Sequence, residues 1–265
     1  MGTRPKKRFS QNFLADKNIA RKMVELLELN PGERVMEIGS GRGTLTELIA
    51  EYKVNLATFE IDHQLIDNLN KKFGANSRVT IVNEDFLGVN PDEYFEGAFK
   101  LIGNIPYDIT SPLLDWIIRH RDRIDRAVLT TQRELGERIA SGPGSRNWAP
   151  ISVFCQCHFD VKIELTISPK AFYPPPKVNS CTLSFSPHEG YRISDWDNFE
   201  GVVRGAFFHR RKQLVNNLAQ LGGMAKEEIK GILSELGLNE NVRAEAVSIQ
   251  EFIKLAEKIK TAKSS

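Results

Sequence analysis

One tetrapeptide, Asn104-Ile105-Pro106-Tyr107, carries groups that could hold a planar amino group while it is alkylated. An exocyclic amine on a nucleobase is a poor nucleophile, because its lone pair is delocalised into the ring. Two hydrogen-bond acceptors favour a pyramidal nitrogen, and the Asn104 side chain and the Ile105 carbonyl could supply them. Pro106 has no N–H and biases Ile105 toward an extended backbone. The Tyr107 ring offers a face on which a flipped base can stack.

The same four residues also make a good turn. They follow an apolar run, residues 99–103, which predicts a buried strand that ends at the rim of a sheet. Asn and Pro commonly begin a loop after a strand. The tetrapeptide alone therefore leaves a catalytic and a structural interpretation open, and the sequence upstream favours the catalytic one.

A glycine-rich turn follows an earlier apolar run. Gly39, Gly41 and Gly43 stand at alternate positions after residues 35–38, and a helical pattern comes next. Such glycines let the backbone turn sharply and approach a ligand, while the helix N-terminus supplies N–H donors. A dinucleotide fingerprint needs its third glycine one place later, where Thr44 stands. The spacing therefore disfavours a dinucleotide site.

Acidic side chains close the next two predicted strands. Glu60 follows the strand predicted over residues 56–59, and Glu84 and Asp85 follow the one over residues 79–82. The first carboxylate could accept both hydroxyls of a ribose, and the second pair could take an adenine amino group. Carboxylates at such places also cap helices. Acid or glycine at three successive strand ends nevertheless predicts an adenosine-containing cofactor at the carboxyl edge of a parallel sheet.

Five segments, in order, resemble one family, the rRNA adenine dimethyltransferases, and within it the KsgA type that acts on the small ribosomal subunit. The glycine turn is similar to that of S-adenosylmethionine-dependent methyltransferases. Residues 104–107 are similar to the tetrapeptide of enzymes that methylate the N6 of adenine. The other matching segments are residues 11–14, 172–180 and 207–212. The resemblance covers nearly the whole chain.

The resemblance implies roles for the matching positions, with S-adenosylmethionine as cofactor. The cofactor-binding residues implied are Gln11, Asn12, Leu14, Gly39, Gly41, Glu60, Glu84, Asp85 and Asn104. The catalytic residues implied are Asn104, Ile105, Pro106, Tyr107 and Phe172. In this set Phe172 forms the second side of an aromatic clamp around the base. That role rests on the resemblance, because most phenylalanines are core residues.

Basic clusters predict contact with RNA, although the formal net charge is only +2. One cluster opens the chain and the other lies in its C-terminal part, and their members are Arg4, Lys6, Lys7, Arg8, Arg204, Arg210, Arg211 and Lys212. Such clusters can track phosphates. A solvated helix face is the common alternative for a basic run, but the position of residues 207–212 within a family motif favours RNA.

The chain of 265 residues can form one large and one small domain. Apolar runs alternate with helical stretches as far as residue 186, and helical periodicity dominates from residue 196. We therefore expect a catalytic α/β domain over residues 1–188, with a basic segment over 1–17, and a helical RNA-contacting domain over 189–265. The resemblance implies a Rossmann-like class I methyltransferase fold with a seven-stranded, mostly parallel sheet.

Composition favours a cytoplasmic enzyme without a metal. No apolar run reaches the ~18 residues of a membrane span, and the first residues lack the apolar core of a signal peptide. The three cysteines and five histidines show neither zinc nor disulfide spacing. We therefore expect a reducing compartment, no metal and no membrane partner.

The resemblance implies dimethylation of two neighbouring adenosines in small-subunit rRNA, by a monomer acting on a pre-assembled subunit. A large-subunit methyltransferase of the antibiotic-resistance type is one alternative. Ser10 is shared with that type, whereas the proline run 174–176 and the longer helical C-terminus argue against it. A non-catalytic ribosome-assembly factor is the other alternative, and such a protein would be expected to lose the glycine turn or the tetrapeptide.

Overall fold

The computed structural model describes residues 12–221 and 224–264. The strands within these residues are β1 (Phe13–Leu14), β2 (Arg34–Ile38), β3 (Asn55–Phe59), β4 (Val79–Val82), β5 (Phe99–Asn104), β6 (Ile124–Gln132), β7 (Phe159–Ile167), β8 (Phe172–Tyr173) and β9 (Ser180–Pro187). The α-helices there are α1 (Lys17–Glu25), α2 (Thr44–Ala50), α3 (His63–Phe73), α4 (Thr110–Arg119), α5 (Arg133–Ile139), α6 (Pro150–Gln156), α7 (Trp196–Ala206), α8 (Leu214–Leu218), α9 (Lys226–Glu235) and α10 (Ile249–Ser264).

A sheet of seven strands organises the first part of the described chain, in the order β4-β3-β2-β5-β6-β9-β7. The strands from β4 to β6 pair in parallel, and β9 runs antiparallel to β6. Strands covered on both faces are apolar along their length, and Val35, Met36 and Ile38 of β2 are all buried. Parallel neighbours need crossover connections, which is why helices alternate with strands. The predicted α/β fold with a mostly parallel seven-stranded sheet is confirmed.

The strand order reverses next to β2. The chain moves outward from β2 to β3 and β4, and then returns to place β5 on the other side of β2. In open α/β sheets, ligands bind in the crevice outside the carboxyl ends of the strands at such a switch point. The sheet therefore positions the ends of β2 and β5 around a potential site.

A second, two-stranded sheet joins distant parts of the sequence. β1 pairs antiparallel with β8, so that Phe13 lies opposite Tyr173 and Leu14 opposite Phe172. The Ala15 N–H donates to the Ala171 carbonyl at 2.8 Å and extends this pairing. The pairing therefore fixes the segment that precedes α1 against the start of the proline-rich motif.

The described residues fall into two compact units. The first runs to Gly136 and resumes over Asp160–His188, and the second comprises Glu137–Phe159 and the chain from Glu189 onward. The sequence-based division differs in one segment, because it placed residues 137–159 with the catalytic domain.

Backbone and indole hydrogen bonds explain that difference. Trp148 is fully buried, and its indole N–H donates to the Val247 carbonyl at 2.9 Å. The Gly144 N–H donates to the Glu245 carbonyl at 2.7 Å. These partners lie about a hundred residues further along the chain, so the segment belongs to the helical unit.

The helices of both units are too short or too polar to cross a membrane, as far as the described residues extend. Within the same residues, no three His, Cys, Asp or Glu side chains are grouped as metal ligands.

Candidate active site

A cavity of about 230 Å³ lies within the first unit at the carboxyl ends of β2, β3 and β5. The ends of these strands, the turn after β4 and the residues around β1 supply its walls. The site residues predicted from the sequence that line it are Asn12, Gly39, Gly41, Glu60, Glu84, Asp85, Asn104, Ile105, Pro106 and Tyr107. The fold thus brings seven of the nine predicted cofactor residues, and all four residues of the tetrapeptide, to one cavity.

The glycine turn forms the floor of this cavity. Gly39 and Gly41 adopt positive φ angles of 69° and 57°, a region that side chains with a Cβ rarely enter. A Cβ on Gly41 would also lie only 3.0 Å from Cδ1 of Phe13. Glycine is therefore required at position 41 both by the backbone and by the aromatic ring beside it.

Glu60 anchors the glycine turn from the end of β3. One carboxylate oxygen accepts the Gly41 N–H at 2.8 Å, and the other accepts the Asp62 N–H at 2.9 Å. Burial raises the pKa of Glu60, although these N–H bonds act in the opposite direction. Each carboxylate oxygen can accept a second hydrogen bond. Glu60 can therefore hold the turn and still receive a hydroxyl of a ligand.

A buried polar cluster supports the turn from behind. One oxygen of Glu37, Oε2, accepts hydrogen bonds from the Thr46 and Thr58 hydroxyls, each at 2.7 Å. Thr58 in turn contacts the Ser40 hydroxyl. The other oxygen of Glu37 has no partner among the described residues. Desolvation raises the pKa of Glu37 to about 7, despite the threonine hydroxyls that lower it, so a neutral carboxyl is populated near neutral pH.

The Asn104 amide is oriented by the backbone of Asn12. Its Nδ2–H donates to the Asn12 carbonyl at 2.8 Å. The opposite orientation would place two oxygens against each other, so the Oδ1 atom of Asn104 is the acceptor that remains. Both residues line the cavity. The Asn104 amide is therefore held in one orientation beside the cavity, and its role as an acceptor stays a prediction.

The rest of the tetrapeptide is held by the neighbouring strands. The Ile105 N–H donates to the Thr130 carbonyl of β6 at 3.2 Å. The Tyr107 hydroxyl lies 2.7 Å from the Ser180 hydroxyl of β9. Partial burial raises the pKa of Tyr107, although the Ser180 hydroxyl acts in the opposite direction. Tyr107 is thus a neutral phenol at neutral pH, with its ring on the cavity wall.

The acidic pair after β4 lies on the same cavity. Glu84 accepts the Tyr94 hydroxyl at 3.1 Å, and Asp85 accepts the Leu87 N–H at 3.1 Å. Phe86 packs edge-on against Phe59, with ring centroids 5.2 Å apart. Carboxylates beside aromatic rings suit a planar, amino-bearing group such as adenine.

Several predicted residues lie elsewhere. Leu14 is buried in the hydrophobic core and does not line the cavity. Phe172 is also a core residue, only 4 % exposed, whereas its neighbour Tyr173 is 55 % exposed. Gln11 and the basic residues Arg4, Lys6, Lys7 and Arg8 lie outside the described residues. In the second unit Arg204, Arg210, Arg211 and Lys212 are exposed.

Seven described residues beyond the implied cofactor and catalytic sets also line the cavity. They are the apolar residues Phe13, Ile38, Phe59, Ile61, Phe86 and Ile109, together with the acidic residue Asp108. Two of these positions could have been recognised as wall residues from the sequence. Phe13 stands inside the segment of residues 11–14, and Phe59 ends a predicted strand. Hydrophobic walls with a few placed polar groups are usual for ligand pockets.

Comparison with known proteins agrees with this geometry. The family model for ribosomal RNA adenine dimethylase matches residues 2–261. This chain belongs to that family. A protein of Geobacter metallireducens named ribosomal RNA small subunit methyltransferase A is 37 % identical over 96 % of this chain and 95 % of its own length. A protein of the same name from Syntrophotalea carbinolica is 38 % identical, with 98 % of both chains covered.

Solved structures share the fold. A dimethyladenosine transferase from Plasmodium falciparum superposes with a TM-score of 0.82 at 22 % identity, covering 94 % of this chain and 98 % of that one. The 23S rRNA methyltransferase ErmE gives a TM-score of 0.74 at 24 % identity, covering 94 % of this chain and all of that one. The predicted family, enzyme class and methyl donor are those of the rRNA adenine dimethylases and are confirmed.

Proposed function

We propose that this protein transfers methyl groups from S-adenosylmethionine to the N6 atoms of two neighbouring adenosines in small-subunit rRNA. The observation that carries the proposal is the fixed Asn104 amide, whose Nδ2–H is held by the Asn12 carbonyl at 2.8 Å on a cavity also lined by Tyr107. Family membership supports the chemistry, and the small-subunit target is taken from the name of the relatives.

The residues of the cavity fit S-adenosylmethionine. Gly39 and Gly41 leave room for a ligand beside the turn, Glu60 has acceptor capacity for ribose hydroxyls, and Asp85 can accept an adenine amino group. When bound, S-adenosylmethionine supplies a methyl group that is already activated by its sulfonium centre. The protein therefore has to contribute proximity and alignment rather than a strong acid or base.

The tetrapeptide residues bind the target amine. The Asn104 Oδ1 and the Ile105 carbonyl accept its two N–H groups and favour a pyramidal nitrogen. Asn104 is neutral and cannot act as a strong base, so the proton of the amine leaves to water. After the first methylation only one N–H remains for two acceptors, and the base must turn or rebind before the second. Tyr107 stacks on the base, and Phe172 is proposed on family grounds as the opposing ring.

Basic residues of the helical unit contact the RNA. Arg204, Arg210, Arg211 and Lys212 are exposed there, and the cluster at residues 4–8 is proposed as a second contact. We further propose that the protein acts as a cytoplasmic monomer on a partly assembled small subunit. An rRNA target within a particle agrees with a modest overall charge, because only local clusters need to meet phosphates.

Two other functions are tested by the same experiment. A large-subunit target would keep the chemistry, and an assembly factor without turnover would keep only RNA binding. The chain retains the glycine turn and the tetrapeptide, which favours catalysis over the second alternative.

The test is transfer of labelled methyl groups to undermethylated small and large ribosomal subunits, followed by nucleoside analysis. Dimethyladenosine in the small subunit alone is the expected result. Label in the large subunit would show that large-subunit rRNA is the target. If the protein binds the cofactor but transfers no methyl groups, the enzymatic proposal is overturned.

A further inference from the structure

The second unit contains a cavity surrounded by arginines. Its volume is about 320 Å³, and Arg138, Arg204 and Arg210 all line it, with Trp148 and Phe207 among the remaining wall residues. None of the described residues that line it is acidic. Three arginines that line one concave surface make it strongly positive. No sequence motif groups Arg138 with the other two.

Neighbouring groups hold the guanidinium groups of Arg204 and Arg210 in place. Arg204 lies 2.7 Å from Glu200 one helical turn earlier and 5.0 Å from the centre of the Phe154 ring. Arg210 donates to the carbonyl of Arg146. Even so, the Arg204 side chain remains 56 % exposed. Glu200 neutralises part of the charge and leaves a net positive cavity with its donors already oriented.

Such an arrangement suits a phosphate group. Guanidinium forks donate two parallel hydrogen bonds to phosphate oxygens, and several forks can share one phosphate. The cavity exceeds by far the ~30 Å³ of one water molecule, so a phosphate with bound water can enter. We propose that this cavity binds a single backbone phosphate of the rRNA and that Arg138 is one of its ligands. The inference rests on the proposed function, because it assumes that rRNA is the substrate.

The salt dependence of the RNA affinity measures how many phosphates the protein neutralises. Each neutralised phosphate contributes about 0.7 to 0.9 to the slope of log affinity against log salt concentration. Arg138→Gln, Arg204→Gln and Arg210→Gln should each weaken binding of the undermethylated small subunit about tenfold. The triple variant should reduce the slope by only one phosphate, because the three side chains share it. A reduction of about two to three, as for separate phosphates, would overturn the proposal.

Matched variants control for charge and folding. Arg192→Gln removes an exposed guanidinium of the same unit that does not line the cavity, and it should bind RNA as the wild type does. Arg138→Lys keeps the charge but loses the fork, so it should keep the salt slope while binding more weakly. If Arg138→Gln fails to fold, an Arg138→Lys variant that is folded and binds with unchanged affinity overturns the role of Arg138.

A free anion is the competing occupant. Calorimetric titration with inorganic phosphate at constant ionic strength should give only weak, millimolar binding. Tight binding that is lost in Arg204→Gln, with RNA affinity unchanged, would assign the cavity to free phosphate and overturn the proposal. If the wild type methylates rRNA while all the arginine variants bind like it, this inference fails alone. If the wild type transfers no methyl groups, the proposed function fails first.

Discussion

The hydroxyl groups of Tyr107 and Ser180 lie 2.7 Å apart, which ties the proposed base-stacking ring to β9. Ser180 is fully buried, whereas Tyr107 is partly open to the cavity. The strand thus fixes the tilt of a ring that would otherwise turn with the loop. Ser180 is a positioning residue in this view, because it acts on the base only through Tyr107.

A double-mutant cycle tests this relationship. Tyr107→Phe and Ser180→Ala should each lower kcat about fivefold, the equivalent of one hydrogen bond of ~1 kcal/mol. The double variant should be no slower than either single variant, since both remove the same contact. Ser184→Ala is the control, because its hydroxyl also lies buried on β9 but donates to Glu164 at 2.6 Å. Fully additive losses, or equal losses in the control, would show that Ser180 does not act through Tyr107.

The Asn104 amide should be indispensable for transfer. Asn104→Ala removes the acceptor, and Asn104→Asp places a carboxylate against the Asn12 carbonyl that now accepts the amide N–H at 2.8 Å. Both variants should lose transfer by at least a hundredfold, on the scale of removing an oriented donor or acceptor from an active site. Equilibrium binding should show that the S-adenosylmethionine affinity stays largely intact.

Asn55→Ala is the matched control for these variants. Its side chain donates to the Gly32 carbonyl at 3.1 Å, at the opposite end of the sheet from the cavity. This variant should transfer methyl groups at the wild-type rate. An Asn104→Ala enzyme that still transfers methyl groups would contradict the proposed mechanism.

Alanine substitutions at Gly41 and Gly32 distinguish the effect of a steric contact at the cavity from the effect of backbone strain. Both have positive φ angles, 57° and 85°, so alanine costs about 1–2 kcal/mol of stability at either position. Only at Gly41 would the new Cβ meet another group, Cδ1 of Phe13 at 3.0 Å. Gly41→Ala should therefore weaken S-adenosylmethionine binding at least tenfold in calorimetric titration, whereas Gly32→Ala should not. Equal affinities would remove Gly41 from the cofactor site.

Glu37 should make stability dependent on pH. Its pKa is raised from 4.5 to about 7, chiefly by desolvation, so between these values the folded protein holds a proton that the unfolded chain has released. The contribution of Glu37 to the free energy of unfolding should therefore be fully present below about pH 4.5 and be lost as the pH rises through 7, by up to about 3 kcal/mol. The glutamine of Glu37→Gln does not titrate, so this variant should not show this decrease in stability with rising pH.

Urea unfolding of the wild type and Glu37→Gln from pH 5 to 8 measures the difference directly. Groups that titrate in both proteins cancel in the subtraction. Glu47→Gln is the control, because Glu47 is an exposed residue on the helix that carries Thr46. This variant shows the effect on stability of losing a carboxylate that is not buried. A difference between wild type and Glu37→Gln that does not change with pH would contradict the burial argument.

The central sheet could be predicted from the sequence because buried parallel strands are continuous apolar runs. The predicted strand over residues 79–82 coincides with β4, and the one over residues 99–103 stops one residue before the end of β5. Polar residues at the ends of such strands meet at one edge of the sheet. The positions of Glu60 and Asn104 on a shared cavity follow from that rule.

Other features depend on partners that local sequence does not reveal. The sequence pair Phe172-Tyr173 gives no sign of which ring faces the core, and the structure buries the first and exposes the second. Residues 137–159 join the helical unit because Trp148 donates to Val247. The grouping of Arg138 with Arg204 and Arg210 likewise requires the folded unit.

The pairing of β1 with β8 has a consequence for the growing chain. Phe13 contributes to the cavity wall, and its strand partner Tyr173 lies 160 positions later in the sequence. At a synthesis rate of about 5–20 residues per second, the first strand waits roughly 8 to 30 s for the second. The glycine turn and the tetrapeptide of a nascent chain are therefore synthesised long before β1 can pair with β8 and complete this part of the cavity wall. Firm capture of the cofactor should be a late event of biosynthesis.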